Sequence, residues 1–113
     1  MKVTINNQEI PLQIMYTPHS RAIGMMGKSI LNGGMLFPFE DIGERSFWMK
    51  NCIIPLDILF ISGNKINHIS HNCPPCNKRF CTSYKGIGDK VLELNGGFCD
   101  LHNIKEGDII TFS

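Results

Sequence analysis

Apolar and polar residues alternate from the third position onward: Val3 and Ile5, then Ile10, Leu12 and Ile14, broken at Asn6-Asn7. Period-two alternation on both sides of two residues that tolerate positive φ predicts a β-hairpin. Pro11 cannot donate to a ladder, so the second strand is expected at a sheet edge. Thr17-Pro18 then joins an N-capping hydroxyl to a proline at the first helical position. The pattern predicts a helix from Pro18 to about Met26, stopping at Gly27, with Arg21 and Met25 on one face. Asn32-Gly33-Gly34 reads as a turn and Met35 to Phe37 as a brief strand.

The middle of the chain is rich in β-branched and aromatic residues. Ser46 to Lys50 and Ile54 to Ile61 read as strands, and Lys65 to Ser70 as a third after the Gly63-Asn64 turn. Residues 71 to 90 lose the pattern and read as one long, cysteine-bearing loop. Val91 to Leu94 is a short strand, Gly97 to Asn103 a helical turn, and Ile109 to Phe112 a last strand after Gly107-Asp108. Six or seven short strands with one or two short helices predict a mainly β fold, a small closed or partly closed β-barrel.

The chain has 113 residues, enough for one domain, and 42% are hydrophobic, so a core forms without help from cross-links. The formal net charge is +1, which gives no bulk electrostatic reason to expect a nucleic acid or an anionic membrane as partner. No apolar run approaches the roughly 20 residues of a membrane span. The opening MKVTINNQEI lacks the apolar core of a signal peptide. The Asn-, Ile- and Lys-rich composition suits an AT-rich genome, a viral one included. A cytoplasmic or virion-associated location is therefore the expectation, with another protein or a second copy in an assembly as candidate partner.

A series of motifs carries a family resemblance. Arg21 to Gly27 (RAIGMMG) precedes Gly34 to Phe37 (GMLF) and Phe47 to Asn51 (FWMKN). Ile54 to Ile61 (IPLDILFI), Pro74-Pro75-Cys76, Cys81 and Tyr84 follow, then Val91 to Gly97 (VLELNGG) and Ile104 to Asp108 (IKEGD). In this order the chain resembles the domain-of-unknown-function family 192 over nearly its whole length. The resemblance implies a small, mainly β domain, often exported in bacteria and archaea, with no established activity. It covers Cys76 and Cys81 but not Cys52, Cys73, Cys99 or His102.

The five cysteines are an odd number, so at least one is free, metal-bound or intermolecular. Cys76 and Cys81 enclose four residues, enough chain to bring their α-carbons within disulfide reach. Such a bond would pin the long loop. Cys73-x2-Cys76 and Cys99-x2-His102 have zinc-ribbon spacing, with Cys81, His68 and His71 as substitutes, so zinc is the alternative cofactor. A redox reading of Cys73-Pro-Pro-Cys76 lacks the helix that normally lowers a thiol pKa. Met25, Met26, Met35 and Met49 could offer thioethers to copper(I), although gap-filling core is the plainer role.

Two carboxylates sit in otherwise apolar strands, Asp57 and Glu93, and a buried carboxylate needs a partner. Arg21 is the expected partner of Asp57, with Asn51 or Tyr84 completing a network. Trp48 is the single tryptophan. The leading expectation is a binding or structural module whose cleft is lined by Arg21, Trp48, Asn51, Asp57, Tyr84 and Glu93, beside the Cys76–Cys81 loop. The enzyme alternative takes Cys76 or Cys81 as nucleophile, His71 as base and Asp57 or Glu93 as orienter. A third class is an assembly protein whose strand edges pair with neighbours.

Overall fold

The Asn6-Asn7 turn forms as the alternation predicts, with φ of 50° and 67° at its two residues. It joins β1 (Lys2–Ile5) to β2 (Gln8–Ile14) in an antiparallel pair. This fold is a computed structural model covering residues 1–113. Strand β2 is internal rather than an edge: it also pairs in parallel with β3 (Gly34–Trp48). The missing N–H of Pro11 is tolerated because pairing to β3 begins one residue later, at Leu12 opposite Gly34.

Helix α1 (Pro18–Ile23) carries the expected cap. The Ser20 N–H donates to the Thr17 hydroxyl at 3.0 Å, and the Thr17 N–H donates back to Ser20 Oγ at 3.1 Å, a capping box. The helix ends three residues earlier than predicted, because Gly24 adopts φ 47° and directs the chain back onto the Phe37 ring.

The remaining elements are β4 (Leu56–Ser62), β5 (Lys65–Cys73), β6 (Ser83–Asn95), α2 (Phe98–Leu101) and β7 (Ile110–Phe112). The sheet order is β5-β4-β6-β3-β2-β1-β7. Its two edges approach each other where Lys65 bridges Ile109, and Ile66 N–H donates to Asp108 O at 3.0 Å. The sheet is thus a partly closed barrel.

Two of the strands are long, which corrects the expectation of short ones. The brief strand at 35–37 and the SFW segment are one strand, β3, which pairs with β6 from Met35↔Glu93 to Trp48↔Ser83. A register shift between Pro38 and Gly43 lets the outer half leave the sheet as a two-stranded ribbon. Because β5 runs to Cys73 and β6 starts at Ser83, the loop expected over 71–90 shrinks to 74–82.

The sheet buries both faces. Strand β4 is buried from Leu56 to Ile61, so no polar position marks its outward side. Leu59 and Ile61 join Leu92, Leu94 and residues of every other strand in the barrel interior. Leu56, Ile58 and Phe60 join Val91, Met35 and Phe37 on the opposite face. That outer face is covered by Met25, Leu31, Met49 and Cys52 from the connections. No helix is long and apolar enough to cross a membrane.

Candidate functional site

Alternation along the buried strands decides where the two carboxylates point. Asp57 shares a side with Leu59 and Ile61, towards the barrel interior, whereas Glu93 shares the outer face with Val91. The two therefore do not meet.

Asp57 is fully buried. Its Oδ1 accepts from Asn72 N–H at 2.7 Å and from Gly97 N–H at 3.1 Å, and its Oδ2 accepts from Cys99 N–H at 2.9 Å. Its partners are backbone amides, which corrects the expected pairing with Arg21. Asp57 is a structural anchor that ties β5 and the start of α2 to β4.

Glu93 lies opposite Met35 on β3 and Ile58 on β4, at the centre of the sheet. It is only 4% exposed, and its Oε1 has no hydrogen-bond partner. Burial among apolar side chains pushes its carboxyl up to about 8, so it is mostly neutral at pH 7. It lines a pocket of about 540 Å³ between α1 and the ribbon. Phe37, Phe39, Phe47 and Met25 form much of the apolar wall. Phe47 meets Phe37 and Phe39 edge to face, at 5.0 and 6.5 Å between centroids.

Two arginines lie against Phe39, Arg21 at 5.3 Å and Arg45 at 4.1 Å from its centroid. Arg21 Nη1 donates to Pro38 O at 2.9 Å, and Arg45 Nε donates to Gly88 O at 2.9 Å. Arg45 also pairs with exposed Asp41 at 2.8 Å, whose carboxyl it holds below the usual range. Lys50 and Glu44 complete the charged lining.

Of the six residues expected in one cleft, Arg21, Trp48 and Glu93 share this pocket. Tyr84 lines a smaller hollow beside the disulfide, with Met49 and Phe80. Asn51 contributes through its backbone: at φ 61°, its N–H donates to Cys76 O and its carbonyl accepts from Gly27 N–H. Asp57 lies on the other face. The residues that sequence reasoning missed are Phe37, Phe39, Phe47 and Arg45. A signal existed for the first two, because F-x-F at 37–39 places both rings on one side of a strand. Arg45 lies in a polar stretch that gives none.

Cys76 and Cys81 form a disulfide, with Cα atoms 6.1 Å apart. The two candidate nucleophiles are thus bonded to each other, and His71 instead faces Asp100 at 3.6 Å. The proposed zinc ligands are dispersed: Cys76 is in the disulfide, Cys73 packs on the outer face, Cys99 packs in the interior, and the His102 ring lies tilted against Phe98. The methionines Met25, Met35 and Met49 are core residues.

Three thiols remain free and buried, Cys52, Cys73 and Cys99. Burial pushes Cys52 and Cys73 up to about 11, helped by Glu93 at the first and Asp57 at the second. Burial with the nearby Asp57 carboxylate raises Cys99 too. Native, unreduced protein is therefore expected to resist alkylation at neutral pH, and denatured protein to take up three labels. Uptake by the native form would contradict this. Replacing Cys76 and Cys81 together by serine is expected to cost about 2 kcal/mol, because so short a loop constrains the unfolded chain little. Urea unfolding of parent and variant, each extrapolated with its own slope, measures it.

Fold and pocket together define a small, partly closed β-barrel domain with an apolar, arginine-rimmed pocket on its outer face. The chain belongs to the domain-of-unknown-function family 192: that family's model, described as "Uncharacterized ACR", matches residues 1–112. Two solved structures are similar. One is a protein of unknown function from Novosphingobium aromaticivorans, with TM-score 0.88 and 29% identity over 98% of this chain and 84% of that one. The other, from Sinorhizobium meliloti, is described as a candidate transcription regulator, with TM-score 0.84 and 27% identity over 97% of this chain and 89% of that one. No curated protein matches the chain in sequence.

Proposed function

We propose that the protein is a non-catalytic binding module that holds a small organic molecule in the pocket between α1 and the β3–β6 ribbon. One observation carries this reading: Glu93 Oε1 is buried at the pocket wall with no partner. Leaving a buried polar atom unpaired costs roughly 1–3 kcal/mol, so such atoms are rare without a compensating role. A ligand that hydrogen-bonds Glu93 recovers that cost. The surrounding phenylalanines supply apolar area, and the pocket volume falls in the range of small-molecule sites.

The test is a fragment screen read by amide chemical shifts, on the parent and on Ala22→Trp. Ala22 is exposed on α1 and lines the pocket, so a tryptophan there fills the mouth without changing charge. Binding fragments are expected to move the amides of Phe37, Phe47 and Glu93 in the parent and to lose at least about tenfold in affinity in the variant. Hits that map elsewhere, or that ignore Ala22→Trp while its urea midpoint is unchanged, would sink the reading.

A further inference from the structure

The chemistry around the pocket is graded from its inner wall to its mouth, and the gradient selects a ligand. Inside, Glu93 presents a buried oxygen that lacks a donor. Between lie aromatic walls. At the mouth, the two guanidiniums retain unused donors. Arg21 spends only Nη1, on Pro38 O. Arg45 spends Nε on Gly88 O and Nη2 on Asp41. Arg21 Nε and Nη2 and Arg45 Nη1 have no acceptor within the protein, and the Phe39 ring supports both groups. Planar guanidinium forks favour carboxylates. Counting Lys50 and, against them, Glu44 and the paired Asp41, cations outnumber anions at the rim.

Resting on the reading of the pocket as a binding site, we infer that its ligand is a small aromatic carboxylate with a hydrogen-bond donor at its far end. The carboxylate meets Arg21 and Arg45, the ring lies among Phe37, Phe39 and Phe47, and the donor, a hydroxyl or an N–H, reaches the Glu93 carboxyl where it lines the pocket. A cationic amine fits less well. It would have to pass the arginines, and it would meet a carboxyl that burial keeps mostly uncharged at pH 7.

Four matched probes separate these contributions: para-hydroxyphenylacetate, phenylacetate, para-cresol and tyramine. Each is titrated into the whole protein at pH 7 and followed by amide shifts. Para-hydroxyphenylacetate is expected to bind with a Kd of about 1 mM or tighter, moving Phe37, Phe47 and Glu93. Phenylacetate, which leaves the Glu93 carboxyl without a donor, and para-cresol, which leaves the arginines unpaired, are each expected to bind about tenfold more weakly. Tyramine is expected to be weaker still. Glu93→Leu is expected to erase the advantage of the hydroxyl, and Arg21→Gln to reduce the advantage of the carboxylate.

Tyramine or para-cresol binding the same pocket as tightly as para-hydroxyphenylacetate would overturn the ligand class and leave the binding reading intact. Silence from all four probes, beside pocket hits from the fragment screen, would do the same. Silence from the probes and the screen together would overturn both. Retention of the hydroxyl's advantage in Glu93→Leu would overturn the role given to Glu93.

Discussion

Glu93→Gln is expected to stabilise the protein at pH 8 and to remove a large part of its pH dependence. The carboxyl is raised from an ordinary 4.5 to about 8 by burial. Between those values the native state holds a proton that the unfolded chain has released. Folding stability therefore falls as pH rises through this window, by about 1.4 kcal/mol per unit at most. The contribution of the neutral acid is complete below pH 4.5 and lost above about pH 8, a span on the order of 5 kcal/mol.

Glutamine keeps the shape and the polarity but does not ionise, so its variant lacks this slope. The two proteins are expected to match near pH 4.5 and to diverge by several kcal/mol at pH 8 and above. Cys52 and Cys73 also feel Glu93, but with thiols near 11 they stay neutral across the window. Urea unfolding at a series of pH values, with the slope checked for constancy, makes the measurement. Parallel stability profiles for parent and variant would show that Glu93 ionises freely.

Asp57→Ala carries the other large effect, and in the opposite direction. The carboxylate accepts three backbone N–H bonds, from residues 72, 97 and 99, in a fully buried position. Alanine strands all three donors away from water, which is expected to destabilise by on the order of 3–5 kcal/mol. For a small domain that is a large share of the total. If Asp57→Ala does not fold, Asp57→Asn serves instead, because it keeps one acceptor oxygen and is expected to fall between the two. Hydrogen exchange at the Asn72, Gly97 and Cys99 amides reports the local part of the loss. A change below about 1 kcal/mol in Asp57→Ala would mean that water or a backbone shift satisfies these amides.

These two residues illustrate how far the sequence could be read. Both stood out as carboxylates inside apolar strands, and that required no structure: a buried charge is costly whatever the fold. Their partners were not legible. Asp57 bonds amides that lie 15, 40 and 42 residues away, and backbone amides have no sequence signature. Arg21 was the plausible partner by chemistry, but it lies on the other side of the sheet, held to Pro38.

The extents of β3 and β6 were hidden for a related reason. Residues 38–45 and 83–88 pair with no third strand, and of their large side chains only Phe39 and Tyr84 pack on the core, so they lack the apolar periodicity that marks a half-buried strand. Only their pairing with each other makes them strands.

Local rules were sufficient where the physics is local. The Asn6-Asn7 turn, the Thr17-Pro18 helix start and the short closing strand follow from backbone preferences and alternation within a few residues. The proximity of Cys76 and Cys81 follows from the short chain between them. The sequence by itself thus determined a mainly β fold of partly closed barrel type, the family, and the unusual status of Asp57 and Glu93. Tertiary structure alone decided which face each carboxylate occupies. Strand β4 is buried on both sides, so its hydrophobic pattern carries no direction. That choice made Asp57 an anchor and left Glu93 unpaired at the wall of a pocket, because the packing that surrounds each side chain comes from strands distant in the chain.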